Sequence, residues 1–191
     1  VNAVLKDKVV LSNVALEKGK IVQVEIIGKE DSQYSYLAPG IVDLHTHGCG
    51  GSDFMDGTVQ DIVNAAKAHV TFGVTTCLPT TITSSDEDLF AFLTNVETVC
   101  KDPYLTNIAH IPGVHLEGPY LNLKMSGAQN PQYICAPEPR HYNKILEHSK
   151  GLIKRWSVAP ELDGALEFID TMVKEGILVS GAHTQATYDQ M

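Results

Sequence analysis

The sequence predicts an α/β fold: an incomplete TIM-type (β/α)8 barrel with about five βα strands, preceded by a small β subdomain. From residue 39 onward, apolar runs of strand length alternate with segments of helical periodicity, which is typical of parallel βα units. Three of those runs end in side chains that can bind a metal, and the carboxyl ends of parallel barrel strands form the floor of an active site. The 191 residues, 43% hydrophobic, are enough for one substantial core.

The amino-terminal part of the chain predicts the small β subdomain. Three apolar runs of strand length lie there, at residues 9–11, 14–16 and 21–27. Turn-forming residues around Gly19 separate the last two runs. The pattern changes at Pro39, so we expect a sandwich-like subdomain in residues 1–38 and a truncated hydrolase barrel in residues 39–191.

The rest of the chain predicts five parallel strands with helices between them. The strands are expected at residues 41–47, 74–81, 108–116, 153–159 and 177–182. The helices are expected at residues 59–72, 84–100, 141–148 and 162–175, with another beginning at Thr184. Ser84 or Ser85 is the expected N-cap of the second helix, because three acidic residues follow in its first turn.

Five strands allow two architectures. One is a complete five-stranded α/β sheet, and the other is an eight-stranded barrel cut short, since a whole barrel typically needs about 250 residues. The helix expected at Thr184 has barely one turn before Met191, which favours the truncated barrel. Under that interpretation the barrel continues beyond the last residue.

Charge and composition argue against several classes of partner. The formal net charge of −9 argues against nucleic acid or an anionic membrane as the main partner. No apolar run approaches the ~18 residues of a membrane span. The four cysteines form no CxxC pair and no dense framework, which fits a reducing cytoplasm.

The candidate metal ligands follow the first, third and fifth expected strands of the barrel. Side chains two apart on a strand share a face, so His45 and His47 point the same way. Glu117 and His183 follow the two later strands. Three imidazoles and a carboxylate converging at one sheet edge would hold one or two divalent cations. These donors suit zinc in the first place, and also iron, manganese or cobalt.

Four motifs carry a resemblance to a known family. They are PGIVDLHTHG at residues 39–48, GVTTCLPTT at 73–81, HLEGPY at 115–120 with GAQNP at 127–131, and GAHTQATY at 181–188. In this order and at these separations they resemble the amidohydrolase superfamily, and within it the N-acetylglucosamine-6-phosphate deacetylases. The likeness runs over nearly all of the chain and covers the amino-terminal half of such an enzyme.

The resemblance implies roles for the four candidate ligands. Glu117 and His183 match metal ligands of the family. His45 and His47 match an extra pair used by members that bind a second metal, so a binuclear site is open. The resemblance also implies a (β/α)8 barrel with a small β domain that both chain ends build.

The resemblance further implies where the substrate binds. Ala128 and Gln129 stand where the family contacts the sugar, although many members carry His at the position of Gln129. The remaining metal histidine, the proton-shuttling aspartate and the phosphate-binding residues are expected beyond Met191. No catalytic residue is therefore assigned within this chain.

The implied reaction is metal-dependent hydrolysis of the acetamido group of N-acetylglucosamine 6-phosphate, to glucosamine 6-phosphate and acetate, in amino-sugar catabolism. The implied enzyme is cytoplasmic, binds a phosphorylated amino sugar and is a homodimer at full length. This chain is expected to be inactive alone, because it lacks the proton-shuttling aspartate. Two alternatives remain: another amidohydrolase that acts on N-acyl amino acids or cyclic amides or as a deaminase, and a non-catalytic metal-binding fragment.

Other residues near the strand ends have weaker cases for chemistry. His115 lies one layer below the candidate acid, and we expect a hydrogen-bonded core histidine rather than a ligand. Asp43 has the same relation to the first histidine. Glu161 is expected to fix its own loop. Cys49 is expected to be a buried thiol, and the glycines around it are expected to let the backbone pass close to the metal or substrate.

Overall fold

The computed structural model describes residues 1–191, which form two compact units, Val1–Gly40 and Ile41–Met191. The first unit contains only strands and loops, whereas the second contains all four α-helices. None of these helices combines the length and the apolar character that crossing a membrane requires. The candidate ligands all lie in the second unit.

The first unit is a four-stranded sheet. Its strands are β1 (Asn2–Val4), β2 (Val9–Glu17), β3 (Lys20–Lys29) and β4 (Tyr36–Leu37), in the spatial order β3-β2-β1-β4. Lys18 and Gly19 form the two-residue turn between β2 and β3, and both have the positive φ that such a hairpin favours. The runs at residues 9–11 and 14–16, expected as separate strands, form the single strand β2, because Ser12 and Asn13 between them also pair with β3.

The second unit is built on five parallel strands. Its elements in chain order are β5 (Ile41–Thr46), β6 (Gly48–Cys49), β7 (Ser52–Asp53), α1 (Val59–Thr71), β8 (Val74–Pro79), α2 (Asp86–Lys101), β9 (Val114–Glu117), α3 (Pro139–Ser149), β10 (Ile153–Val158), α4 (Ala165–Lys174) and β11 (Leu178–Gly181). β5 pairs with β8, β9 with β10, and β10 with β11, all in parallel. Two single bridges, Thr76 with His110 and Thr80 with His115, link β8 to β9 and the segment before it. The strand order is therefore β5-β8-β9-β10-β11, and all five carboxyl ends lie on one edge.

The core of the second unit combines strand and helix residues. Val114 and Leu116 of β9 are fully buried, as are Ile62 of α1 and Val96 of α2. Ser85, one of the two expected caps, accepts a hydrogen bond from the backbone of the third residue of α2. The expected start of that helix is thus confirmed, and acidic residues fill its first turn.

Trp156 of β10 is the centre of an aromatic cluster under the strand ends. Its ring centroid lies 5.6 Å from that of Tyr120 and 5.1 Å from that of Phe168, and all three side chains are fully buried. Its indole Nε1 donates to the carbonyl oxygen of Gly118 at 2.9 Å. The aromatic cluster therefore holds the residue that directly follows Glu117.

Two of the expected elements are wrong: one strand is shorter than predicted, and one helix does not form. The third strand is expected from residue 108, but β9 begins only at Val114, since Pro112 has no N–H group to pair with a neighbouring strand. The helix expected from Thr184 does not form, and only a short 3-10 turn occurs at Tyr188–Gln190. Thr184 hydrogen-bonds a glutamate of the preceding loop, which keeps the backbone there out of a helix.

The strands at the two ends of the sheet expose apolar side chains. Ile41 and Val42 of β5 are 56% and 57% exposed, and Leu178 of β11 is 60% exposed. Each of these strands has a neighbour on one side only. The five-stranded sheet therefore has two open edges that carry apolar side chains.

Candidate metal centre

Two histidines at the end of β5 approach the same point. His45 lies on the strand and His47 follows it, so the alternation of strand side chains brings both rings to one face. Their Nε2 atoms are 3.3 Å apart. Asp43 acts on the backbone of this segment, because its Oδ1 accepts a hydrogen bond from the His45 N–H at 3.1 Å.

Glu117 ends β9 and brings its carboxylate against both imidazoles. Its Oε1 lies 3.6 Å from His45 Nε2, and its Oε2 lies 3.3 Å from His47 Nε2. One ligand atom from each of these three residues lies within 4.8 Å of the others. The Glu117 side chain is only 7% exposed, so its charge needs partners inside the protein.

His183 reaches the same carboxylate from the loop after β11. Its Nε2 lies 3.2 Å from Glu117 Oε1. Its φ of 46° falls in the left-handed region, which a non-glycine residue rarely adopts. The three histidines that the sequence singles out therefore meet around the fourth predicted side chain, Glu117.

Two backbone carbonyls set the tautomers of the histidine rings. A carbonyl oxygen only accepts, so His47 Nδ1 donates to Thr80 at 3.2 Å and His183 Nδ1 donates to Met125 at 2.7 Å. In the neutral rings the hydrogen is then on Nδ1, and the lone pair of Nε2 faces Glu117. Metal-binding histidines are oriented in the same way, by a hydrogen bond from the nitrogen that does not bind the metal.

The spacing of the donor atoms fits a divalent cation. Bonds of about 2.0–2.1 Å at tetrahedral angles put neighbouring ligand atoms about 3.3 Å apart. The two Nε2 atoms are 3.3 Å apart, one carboxylate oxygen of Glu117 lies 3.3 Å from His47 Nε2, and the other lies 3.6 Å from His45 Nε2. Imidazole nitrogens with a carboxylate oxygen are a donor set that several divalent transition metals accept.

The protonation equilibria also favour a cation site. Burial raises the pKa of Glu117, but the hydrogen bond that a protonated His47 donates and the positive charges of the three histidines outweigh it and hold that pKa at about 2. The hydrogen bond to Glu117 raises the pKa of His47, whereas burial lowers the pKa of His45. The acid is therefore ionised at neutral pH and attracts positive charge to the Nε2 atoms around it.

Comparison with known proteins assigns the chain to a family. The sequence model of the amidohydrolase family matches residues 36–189. The chain belongs to the amidohydrolase family. The match includes all four side chains of the centre, and the resemblance predicted from the motifs is confirmed.

The most similar curated amidohydrolases include N-acetylglucosamine-6-phosphate deacetylases. The chain is 30% identical over 190 residues to the enzyme of Haemophilus influenzae, which covers 97% of the chain and 48% of that relative. It is 33% identical over 154 residues to the enzyme of Bacillus subtilis, which covers 80% of the chain and 39% of that relative. The chain spans about half, or less than half, of the length of the curated relatives it matches.

Solved structures of amidohydrolases match the fold over nearly the whole chain. The N-acetyl-D-glucosamine-6-phosphate deacetylase of Mycobacterium smegmatis superposes with a TM-score of 0.86 at 28% identity, covering 99% of this chain and 50% of that one. The enzyme of Thermotoga maritima gives a TM-score of 0.83 at 32% identity, covering 100% and 49%. The α/β unit described above is thus a partial fragment of the architecture seen in these relatives.

Gln129 contacts the acid of this amidohydrolase centre directly. Its Nε2 donates to Glu117 Oε2 at 2.8 Å, and Thr81 Oγ1 accepts from the Glu117 N–H at 3.1 Å. Gln129 is buried, whereas Ala128 beside it is exposed. The bond between Gln129 and Glu117 is not predicted from the sequence, since a loop connects the two residues and loop paths follow no hydrophobic period.

His115 is a core histidine, as the sequence predicts. It is fully buried, its Nε2 lies 2.8 Å from Ser157 Oγ, and its Nδ1 lies 3.4 Å from Thr80 Oγ1. Burial lowers its pKa to about 3, so the ring is neutral at physiological pH. Its ring centroid is 4.9 Å from that of His45, so it packs beneath a candidate ligand.

The glycine-rich segment after His47 is a hairpin that packs on α1. β6 and β7 pair antiparallel, and Gly50 and Gly51 form the two-residue turn with positive φ. A Cβ atom on Gly50 would lie 2.6 Å from the Cβ of Ala68. The close contact that requires glycine here is therefore with the helix, and Cys49 in the hairpin is half-buried.

Glu161 fixes the loop that carries His183, whereas the sequence predicts that it fixes its own loop. It accepts hydrogen bonds from the Gln185 N–H at 2.7 Å, from Asn122 Nδ2 at 2.8 Å and from the Thr184 hydroxyl. The Asn122 N–H in turn donates to the carbonyl of His183 at 2.9 Å. These bonds hold the left-handed backbone at His183 from both sides.

Replacing Glu161 with glutamine in the full-length amidohydrolase is expected to weaken cation binding by about tenfold. The neutral amide holds the donors of Gln185 and Asn122 more weakly than a carboxylate, and its NH₂ group replaces the acceptor to which the Thr184 hydroxyl donates. Cation affinity is measured by competition with a chelator. Glu167→Gln, a change at an exposed glutamate of α4, is the matched control and is expected to leave affinity unchanged. An unchanged cation affinity in Glu161→Gln would contradict the inference that Glu161 holds His183 in position.

Proposed function

We propose that the full-length protein is a metal-dependent hydrolase that converts N-acetylglucosamine 6-phosphate to glucosamine 6-phosphate and acetate, a step of amino-sugar catabolism. The convergence of His45, His47 and His183 on Glu117 carries the proposal. The names of the relatives support it, since they are deacetylases of this sugar phosphate. A mutant of the Mycobacterium smegmatis enzyme has been solved in complex with N-acetyl-D-glucosamine-6-phosphate.

The proposed architecture is a (β/α)8 barrel of which residues 39–191 supply the first five strands, with residues 1–38 in a separate small β subdomain. The open edges at β5 and β11 support it, because apolar side chains such as Ile41 and Leu178 are exposed there. The TM-score of 0.86 to a chain of about twice the length also supports it. The full-length enzyme is proposed to be a cytoplasmic homodimer.

Glu117 and His183 are the proposed ligands of one cation, and His45 and His47 complete its shell or bind a second ion. Zinc is the first candidate, with iron, manganese and cobalt as alternatives. When bound, a divalent cation at such a centre supplies Lewis-acid polarisation of a carbonyl oxygen and a neighbouring water of lowered pKa. This chain contributes the ionised carboxylate of Glu117 and the imidazoles of His47 and His183, whose hydrogens are held on Nδ1 by backbone carbonyls.

Proton transfer is proposed to need a residue outside this chain. Both oxygens of Glu117 already face histidines or Gln129, so the acid has no free position for a proton from the substrate. An aspartate beyond Met191, with a further metal histidine and the phosphate-binding residues, is proposed to complete the site. The 191-residue chain alone is then inactive, and measurable acetate release by the purified chain would overturn that expectation.

Ala128 and Gln129 are the proposed sugar contacts. Ala128 is exposed and so can meet a ligand through its backbone or methyl group. Gln129 is only 4% exposed, which makes it the weaker candidate of the two.

Acetate release by the metal-loaded, full-length protein tests the function. The substrates are N-acetylglucosamine 6-phosphate, N-acetylgalactosamine 6-phosphate, an N-acetyl amino acid and a cyclic amide. The galactosamine arm is included because one relative, from Escherichia coli, is an N-acetylgalactosamine-6-phosphate deacetylase, 29% identical over 154 residues. We expect kcat/KM for the glucosamine derivative to exceed that for the two non-sugar amides by at least about 10⁴-fold, since unpaired polar groups in the site penalise them. A preference for the amino acid or the cyclic amide would overturn the proposal.

A further inference from the structure

We propose that Thr80 is a positioning residue, whose hydroxyl group fixes the strand segment that carries His45 and His47. This inference rests on the proposed function, because the two histidines belong to the same centre. Thr80 acts through these two ligands and not by touching the cation itself.

The two histidines lie at an irregular place in β5. Where β5 pairs with β8, the register shifts between Asp43 and Thr46, and two residues of β5 stand opposite the single residue Leu78. His45 is one of those two residues. A β-bulge re-aims side chains and disrupts the local ladder, so the directions of His45 and His47 depend on what holds Thr46 between them.

The hydroxyl group of Thr80 holds the peptide between the two histidines. Its Oγ1 accepts a hydrogen bond from the Thr46 N–H at 3.1 Å and donates one to the Leu78 carbonyl at 3.1 Å. Thr80 is fully buried, so solvent water has no access to take over these bonds. The hydroxyl therefore ties β5 to β8 directly after the bulge.

The backbone of Thr80 makes two further bonds to the same segment. Its N–H donates to the Thr46 carbonyl at 2.9 Å, and its carbonyl accepts from His47 Nδ1 at 3.2 Å. These two bonds use no atom of the Thr80 side chain. A change of that side chain therefore isolates the contribution of the hydroxyl.

Thr80 also contacts the strand that supplies the acid of the centre. It forms a single parallel bridge with His115 of β9, and its Oγ1 lies 3.4 Å from His115 Nδ1. His115 stands two residues before Glu117, and its ring centroid is 4.9 Å from that of His45. Thr80 thus lies between the two strands whose ligands must meet, and it contacts both of them.

Cation affinity of the full-length protein tests this role. Thr80→Val keeps the shape of the side chain but removes the hydroxyl, so the Thr46 N–H and the Leu78 carbonyl lose this partner. We expect zinc affinity, measured by chelator competition, to fall about 10- to 100-fold, the usual effect of losing a group that supports a metal ligand. We also expect the visible absorption of the Co²⁺-loaded protein to change, because the rings of His45 and His47 shift.

Thr80→Ser separates positioning from packing, since serine lacks the methyl group but keeps the hydroxyl. Its zinc affinity is expected to stay within about threefold of the wild-type value, with an unchanged Co²⁺ spectrum, because both hydrogen bonds are retained. Thr80→Ala removes both groups and is expected to resemble Thr80→Val. Thr98→Val is the matched control: Thr98 is exposed and its hydroxyl donates to the Thr94 carbonyl within α2, so wild-type behaviour is expected.

Three results would overturn the inference. One is wild-type zinc affinity and a wild-type Co²⁺ spectrum in Thr80→Val or Thr80→Ala. Another is a loss of affinity in Thr80→Ser equal to that in Thr80→Val, which would assign the effect to packing. The third is a circular dichroism spectrum showing that only Thr80→Ser folds, which would assign the hydroxyl to the fold and not to the ligands. Failure of the proposed function looks different: the wild-type protein itself would bind no zinc or release no acetate.

Discussion

Replacing Glu117 with glutamine is expected to weaken cation binding and slow hydrolysis severely in the full-length protein. Glutamine has the same shape but no charge, so the three histidines lose the anion that they face. One end of its amide also becomes a donor. If that end faces Gln129, two NH₂ groups oppose each other, and if it faces His183, it points at the Nε2 that the cation needs. In either orientation the amide removes a contact on which the cation site depends.

The expected size of this effect is large. Loss of a direct ligand is expected to reduce cation affinity by more than the 10- to 100-fold typical of a supporting residue, so by over about 100-fold. Losing several kcal/mol of charge stabilisation corresponds to about 10³-fold in kcat/KM. Metal content by mass spectrometry and acetate release measure the two effects.

The control for this prediction is Glu138→Gln. Glu138 is an exposed glutamate that precedes α3 and makes no capping bond with its side chain, so the same chemical change there is expected to have no effect. Wild-type metal content and activity in Glu117→Gln would show that the acid is not a ligand.

The convergence of the centre could be predicted from the sequence because strand geometry is local and periodic. Two histidines separated by one residue share a face on any strand, and strands that run in parallel end on one edge. Glu117 and His183 each follow an apolar run, so their meeting with His45 and His47 needed only the parallel order of the strands.

The supports of the centre could not be predicted in the same way. Thr83 and Gln129 meet across 46 residues, and Met125 reaches His183 across 58. Both contacts depend on the path of the long loop after β9, which contains no hydrophobic period. Bonds through main-chain carbonyls, such as that of Met125, carry no residue-type signal at all.

The predictions of the third strand and of the last helix are wrong for specific physical reasons. The apolar run that leads to Glu117 continues through Pro112, whose missing N–H is invisible to a hydrophobic pattern. Thr184 follows the last strand with helix-like neighbours, but its hydroxyl and the next N–H bind Glu161. In both places a single hydrogen-bonding requirement outweighs the local pattern.

Replacing Trp156 with alanine is expected to destabilise the full-length protein by about 3–5 kcal/mol, the usual range for a large buried aromatic side chain. The indole is fully buried, stacked near Tyr120 and edge-on to Phe168, so alanine would leave a cavity in a close-packed core. Denaturant unfolding measures the loss. Tyr104→Ala, at an aromatic side chain that is 89% exposed, is the control and is expected to change stability by less than about 0.5 kcal/mol.

Trp156→Phe separates the packing of the indole from its hydrogen bond. Phenylalanine fills most of the volume but leaves the Gly118 carbonyl without its donor, at a cost of about 1–3 kcal/mol. Because Gly118 directly follows Glu117, the freed peptide also loosens the acid, and cation affinity is expected to fall together with stability. If Trp156→Phe lost stability but kept wild-type cation affinity, the aromatic cluster would support the fold without positioning the centre.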